Sequence, residues 1–166
     1  MDGLTFRLAV LADLPAAAAV HIESCLDIYR GYTTPEFHAV GLPDNLAAVW
    51  RDEVLSNGDF IVLAELEGRV VGLSTVRPTR YEQPYIDHFH ISPACKRMGL
   101  GRRLMRATFT EMQRRGLSAP FLDVAKGNDD ALAFYRSMGG VVGDEVMGDL
   151  FGFPVRAIII RWNSFS

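Results

Sequence analysis

One junction constrains the chain more than any other: "YIDHFHISPACKRMGLGRRLMRATFTEM", Tyr85 to Met112. Its first part, "YIDHFHIS", alternates like a strand. From Leu100 to Arg115 the apolar positions Leu104, Met105, Thr108 (through its methyl), Phe109 and Met112 trace one helical face, and Gly116 ends the run. The period changes across a turn holding Gly99 and Gly101 among Lys96, Arg97, Arg102, Arg103 and Arg106. Strand, glycine turn and helix in that order form an anion site. The first helical N–H groups lack internal partners, the helix dipole adds positive charge, and glycine admits a phosphate to the backbone. In a chain of net charge −3 this local positive charge calls for a specific partner.

Three phosphate-loop patterns compete for "KRMGLGRR". A Walker A loop needs Gly-Lys-Ser/Thr, which is absent, and a Rossmann turn needs a third glycine where Leu104 stands. The pattern Q/R-x-x-G-x-G/A fits Gly99 and Gly101, with Lys96 in the Q/R position.

Elsewhere the chain reads as strands with helices between them. Thr5–Val10 is a strand, Asp13 a candidate N-cap, and Leu14–Ile28 a helix with Pro15 in its first turn. Tyr29–Pro43 reads mostly as loop, and Asp44 starts a helix carrying Leu46, Val49, Trp50, Val54 and Leu55. Asp59–Glu65 and Arg69–Arg77 form a hairpin turning at Gly68. "FLDVA" is a short strand, "NDDALAFYRSMGG" a helix capped by Asp129 or Asp130 and stopped at Gly139, and Val141–Val146 and Phe153–Trp162 close the chain as strands. The expected fold class is α+β, one domain over residues 1–166 around a mixed sheet.

The N-terminus lacks a signal-peptide layout, and no apolar run approaches the roughly 20 residues that span a bilayer, so no membrane partner is expected. Cys25 and Cys95 lie outside any CxxC pattern, which suits a reduced, cytoplasmic protein. The near-neutral charge argues against a dedicated nucleic-acid binder, although Lys96, Arg97, Arg102, Arg103, Arg106, Arg114 and Arg115 would be its contacts.

"FHISPACKRMGLGRRLM" followed by "FLDVAKGNDDALAFYRSMGG" resembles the GCN5-related N-acetyltransferase (GNAT) family, and so does the N-terminal "FRLAVLADLPAAAAVHIESCLDIYRG". The second segment meets the family's N-x-x-A-x-x-x-Y with Asn128, Ala131 and Tyr135. The resemblance implies an α/β/α sandwich-like fold with a mostly antiparallel sheet of about seven strands and about four helices. It implies acetyl-CoA as co-substrate, no metal, and an amine acceptor that is a small molecule or a peptide N-terminus; a homodimer stays open. Phe89, His90 and Ile91 would hold the pantetheine arm through their backbone. Lys96, Arg97, Met98, Gly99, Leu100, Gly101 and Arg102 would hold the pyrophosphate. Asn128 would lie beside the cofactor, and Tyr135 would protonate the departing thiolate. A catalytically inactive acyl-CoA-binding module on the same fold is the alternative.

Acetyl transfer needs a neutral amine, and freeing a lysine-like amine of pKa ~10.4 at pH 7 costs about 4–5 kcal/mol, a task for a general base. Four residues compete for it. Asp87 shares the strand parity of Phe89 and Ile91, Asp123 precedes Asn128 on the next strand, and His88 and His90 lie on the opposite parity. Asp87 is the first choice and Asp123 the second. His88-x-His90 also has metal-ligand spacing but suggests no third ligand. The family's acceptor site would fall on Tyr29, Arg30, Tyr32 and Phe37, with Asp27 or Glu23 attracting a cation. Neither cysteine is expected to act as a nucleophile, because direct transfer needs no acyl-enzyme.

Overall fold

The run "FIVLA" has no polar side, and the structure buries it on both. The computed structural model describes residues 3–52, 55 and 58–164. In it β2 (Phe60–Leu66) sends Phe60, Val62 and Ala64 to one hydrophobic cluster and Ile61 and Leu63 to another. The first cluster lies under α3 (Leu100–Arg114) and α4 (Asp129–Ser137), and the second under α1 (Leu14–Ile28) and α2 (Leu42–Arg51). Two helical layers therefore enclose one sheet, as expected. The helical stripe read from the sequence is the buried face of α3, where Leu104, Met105, Thr108 and Met112 have no exposure. Each large apolar side chain buried there stabilises the fold by roughly 1.5–3 kcal/mol.

Seven strands make the sheet: β1 (Leu4–Leu8), β2, β3 (Arg69–Arg77), β4 (Tyr85–Ile91), β5 (Phe121–Ala125), β6 (Val141–Leu150) and β7 (Phe153–Arg161), in the order β1-β2-β3-β4-β5-β7-β6. All neighbours are antiparallel except β4 and β5. That parallel pair meets at Tyr85 and Phe121 and then parts, while β5 continues against β7 from Phe121 to Ala125. The parting opens a cleft in the middle of the sheet.

Four local expectations need correction. Asp13 precedes α1 without capping it, because its carboxylate accepts from Arg7 at 2.6 and 2.8 Å and from the Val10 N–H at 2.8 Å. Arg7, then Val10, holds that carboxyl down at about 2. Tyr29–Pro43 is not mostly loop: a π-helical turn at Phe37–Gly41 runs directly into α2, which starts two residues before Asp44. Phe37 and Leu42 pack with Cys25 and Leu46, and this tertiary contact orders a segment that has no period of its own. On α2 the buried residues are Leu42, Leu46 and Trp50, whereas Val49 is exposed and Val54 lies outside the described residues. Helix α4 is capped by Asn128, whose Oδ1 accepts the Ala131 N–H at 3.2 Å, rather than by Asp129 or Asp130.

Candidate active site

The glycine turn cannot be an ordinary helix start. Gly99 is the N-cap of α3 at φ 74°, and Arg97 sits at φ 63°, a left-handed conformation that costs a non-glycine residue about 1–2 kcal/mol. Left-handed residues so close together occur in turns whose successive N–H groups can form an anion nest. In front of them lies a cavity of about 640 Å³ reached by Lys96, Arg97, Gly99, Leu100, Gly101 and Arg102 on the loop side. Phe89 and Ile91 of β4, and Asn128, Phe134 and Tyr135 of α4 and its cap, form much of the facing wall, and Asp27 and Asp130 also reach it.

Gly101 tests whether this cavity suits a ligand. A Cβ there would stand 3.5 Å from the Phe134 ring and 4.0 Å from Ile91, ordinary contacts with two residues of the cavity wall. The protein's own packing therefore admits a Cβ at position 101, and the glycine leaves that part of the cavity open. A donor set of loop N–H groups, arginines and an apolar wall fits a phosphate-bearing molecule with an uncharged arm.

A second cavity of about 130 Å³ fills the gap between β4 and β5, lined by Tyr29, Tyr85, Asp87, His90, Asp123 and, again, Phe89, Asn128 and Tyr135. Tyr135 belongs to both cavities and is 7 % exposed. Its ring meets Phe89 and Trp162 edge-on at 6.0 Å. Burial, followed by the Asp123 charge and then Tyr29, raises its hydroxyl above the ordinary tyrosine range, so it stays a proton donor at neutral pH.

The carboxylates differ in what holds them. A bulge opposite Thr75 and Val76 inserts one extra residue into β4. Ile86 therefore joins the α3-side cluster against which Phe89 and Ile91 also pack, and the simple parity that grouped Asp87 with those two fails. Asp87 Oδ2 instead accepts from Arg77 Nε and Arg80 NH1, both at 3.0 Å, and the same Arg77 reaches Asp59 at 2.9 Å. Asp123 lies exposed on the cleft wall, and its Oδ1 accepts the Tyr85 hydroxyl at 2.5 Å.

The histidines cluster on the opposite side of β4, His21 buried and His88 and His90 half-buried. His21 of α1 lies 4.4 Å from His88 and 4.3 Å from His90 between ring centroids. His88 Nδ1 meets Thr75 Oγ1 at 3.2 Å, and His90 Nδ1 meets Ser24 Oγ at 3.0 Å. Burial lowers all three, His21 to about 4, so they are neutral at pH 7. His21, Cys25 and His90 bring ligand atoms within 4.8 Å of one another, a third-ligand set that sequence spacing did not suggest. The Trp50 N–H donates to His21 Nδ1 at 2.9 Å, which places the neutral ring's proton on Nε2 and denies that nitrogen's lone pair to a metal. Burial also pushes the Cys25 thiol up to about 12, so it is a thiol at neutral pH and not a nucleophile.

Of the residues expected at the acceptor site, Tyr29 lines the smaller cavity. Tyr32 donates to the Lys126 carbonyl at 2.8 Å, strapping the segment after α1 to the turn before α4. Phe37 stacks against Phe153 at 4.7 Å and Phe151 at 6.5 Å in the β6–β7 turn, and Arg30 is exposed. These last three line neither cavity. Asp27 is ion-paired with Lys96, and Glu23 accepts from Ser92 Oγ at 2.9 Å, and neither lines the smaller cavity. Met98 is 45 % exposed outside both cavities, and the His90 side chain turns away from the larger one. Tyr85, Ser24 and Phe134 are wall residues that sequence reasoning missed; Phe134 alone carried a signal, as the neighbour of Tyr135. The basic cluster is partly spent within the chain, with Arg114 and Arg115 bonded to Glu111.

Comparison with known proteins agrees with this architecture. Rat N-acetyltransferase family 8 member 3 is 27% identical over 113 residues, covering 65% of this chain and 50% of that protein. The chain thus spans about half the length of this curated relative. A GCN5-related N-acetyltransferase from Rhodopseudomonas palustris superposes with a TM-score of 0.74 over 98% of this chain and 97% of that one, at 18% identity. An N-acetyltransferase of Thermoplasma acidophilum, solved in complex with coenzyme A, does so with a TM-score of 0.67 over 96% and 99%, at 15% identity. The family model described as the acetyltransferase (GNAT) family matches residues 22–139, and the chain belongs to that family.

Proposed function

We infer that the protein moves an acetyl group from acetyl-CoA directly to a primary amine, either a small molecule or a peptide N-terminus. The observation that carries this reading is the sharing of Tyr135 between the phosphate-loop cavity and the carboxylate-lined cavity in the strand gap. A donor arm in the first and an amine in the second would meet at its hydroxyl. The coenzyme A complex of the Thermoplasma relative supports the choice of donor.

Bound acetyl-CoA supplies an activated thioester carbonyl. Arg97, Gly99, Gly101 and Arg102 would hold its phosphates, and Phe89 to Ile91 would meet its arm along the β4 edge that β5 leaves after Tyr85. A main-chain N–H on that edge would stabilise charge on the carbonyl oxygen. Asn128 would line the arm's path while capping α4. Asp123, rather than Asp87, would draw the proton from the incoming ammonium, directly or through a water. Arg77 and Arg80 already occupy the Asp87 carboxylate, whereas Asp123 faces the gap with a single neutral donor. Tyr135 would protonate the departing sulfur.

A screen of CoA release across polyamines, amino acids, aminoglycosides and short peptides tests the function. Turnover on at least one primary amine, lost in Asp123→Asn, is the expected result. Cofactor binding without release on any amine would favour an acyl-CoA-binding module instead.

A further inference from the structure

We propose that Tyr85 is a positioning residue for the transfer: its hydroxyl bridges the opening between β4 and β5 and fixes the rotamer of Asp123, leaving Oδ2 to face the amine. This rests on the reading of Asp123 as the proton acceptor.

The argument begins with the sheet. Tyr85 and Phe121 are the last point at which β4 and β5 touch, and Asp123 lies two residues beyond it on a strand that has already diverged. The Asp123 main chain is held by pairing with Ile159 of β7. Its side chain is free of every described partner except the Tyr85 hydroxyl. The Tyr85 ring is immobilised in turn, lying 5.0 Å from Phe121, edge-on to Tyr81 at 5.2 Å and beneath the Arg80 guanidinium at 5.9 Å. A rigid donor therefore reaches across the gap to a carboxylate that is otherwise free to rotate on an open wall.

The chemistry favours a lasting donor. Burial, then the charge of Asp123 and its hydrogen bond, keep the Tyr85 hydroxyl protonated far above neutral pH. The other titratable groups around Asp123 come from three elements. Tyr29 caps the end of α1, Tyr135 lies on α4, and His90 and Asp87 on β4, with Arg77 and Arg80 behind Asp87. The tyrosines and His90 are neutral and the two arginines balance Asp87, so the Tyr85 contact is the specific interaction on the reacting carboxylate.

Tyr85→Phe keeps the ring contacts and deletes the donor. Its kcat should fall about tenfold, the scale of a hydrogen bond to a charged group, while KM for acetyl-CoA stays unchanged. On an Asp123→Asn background the same change should produce no further loss. Unaltered kcat in Tyr85→Phe, with Asp123→Asn inactive, would overturn the positioning role alone. A fully active Asp123→Asn would instead overturn the reading beneath it. Should Tyr85→Phe melt below the assay temperature, Asp123→Glu probes the same contact from the other side, since its longer arm keeps the charge and loses the register with Tyr85. Loss of kcat at unchanged KM for acetyl-CoA supports the proposal, and wild-type kcat overturns it.

Discussion

Lys96 and Asp27 form an ion pair that ties the loop before α3 to the last turn of α1 at the rim of the larger cavity. Both side chains are nearly half exposed, 43% and 49%, so the pair contributes little to stability, on the order of 0–1 kcal/mol. Its influence falls on the ligand. Asp27→Asn releases a positive charge toward the phosphates and should tighten CoA binding several-fold, whereas Lys96→Ala leaves an uncompensated carboxylate there and should weaken it. Calorimetric titration at low and high salt checks both signs, and the differences should shrink as salt rises. Equal affinity in all three proteins would mean that the loop backbone does the binding without them.

Gly101 separates binding from folding. A Cβ there makes only ordinary contacts with Phe134 and Ile91, so apo Gly101→Leu should melt within a few degrees of wild type, while the stabilisation that CoA gives at saturation should vanish. In the wild type that stabilisation is about 2.7 kcal/mol at a hundredfold excess over Kd. Gly99→Ala differs: at φ 74° it strains the backbone by about 1–2 kcal/mol even without ligand. Thermal shift with and without CoA distinguishes the two. A full CoA shift in Gly101→Leu would refute the cradle.

The three clustered histidines make stability depend on pH. They are held neutral in the folded chain, His21 down to about 4 and the others well below their ordinary value, while in the unfolded chain they titrate near 6.5. As pH falls below 6.5 the unfolded chain binds protons that the folded one refuses, so stability falls with acid and recovers above 6.5. The slope approaches about 1.4 kcal/mol per pH unit for each histidine. Urea midpoints between pH 6.5 and 5, above the carboxylate range, measure it. His88→Gln keeps a polar group near Thr75 and should remove about a third of the slope. A midpoint that rises with acid would contradict the burial of these rings.

What the sequence made legible is local, and what it hid is tertiary. Pro15 and the alanine run mark α1 at Leu14–Ile28, and Gly68 marks the turn before β3 at Arg69–Arg77. Gly99 and Gly116 bracket α3. Asn128 and Tyr135 arrived beside the glycine loop because both motifs sit on elements that flank the strand gap. Alternation misread Asp87, since a bulge is a property of two strands and leaves no mark on one. His21 joins His88 and His90 only through the packing of α1 on β4, and Phe37 meets Phe153 only through a turn near the other end of the chain. Tyr85 looked like the first residue of a strand; only the parting of β4 from β5 turns its hydroxyl toward Asp123.

Tyr135 carries the last test, because its burial predicts a pH behaviour that a packing residue would not show. Its hydroxyl is raised above the usual value of 10, so it remains protonated, and able to donate, through the whole alkaline assay range. The wild-type kcat should therefore show no fall between pH 8 and 10 that traces to this residue. Tyr135→Phe retains the ring against Phe89, Phe134 and Trp162, so melting temperature and CoA affinity should stay close to wild type. Its kcat at pH 7 should drop by about 10²–10⁴, the usual worth of a general acid. The deficit should narrow as pH passes about 8.5, where a free thiol ionises and its sulfur needs less help to depart. Rate measurements with a fixed amine from pH 7 to 10 resolve the two proteins. An unchanged kcat in Tyr135→Phe, or an alkaline limb below pH 10 that disappears with the hydroxyl, would remove the acid role and leave Tyr135 as part of the wall.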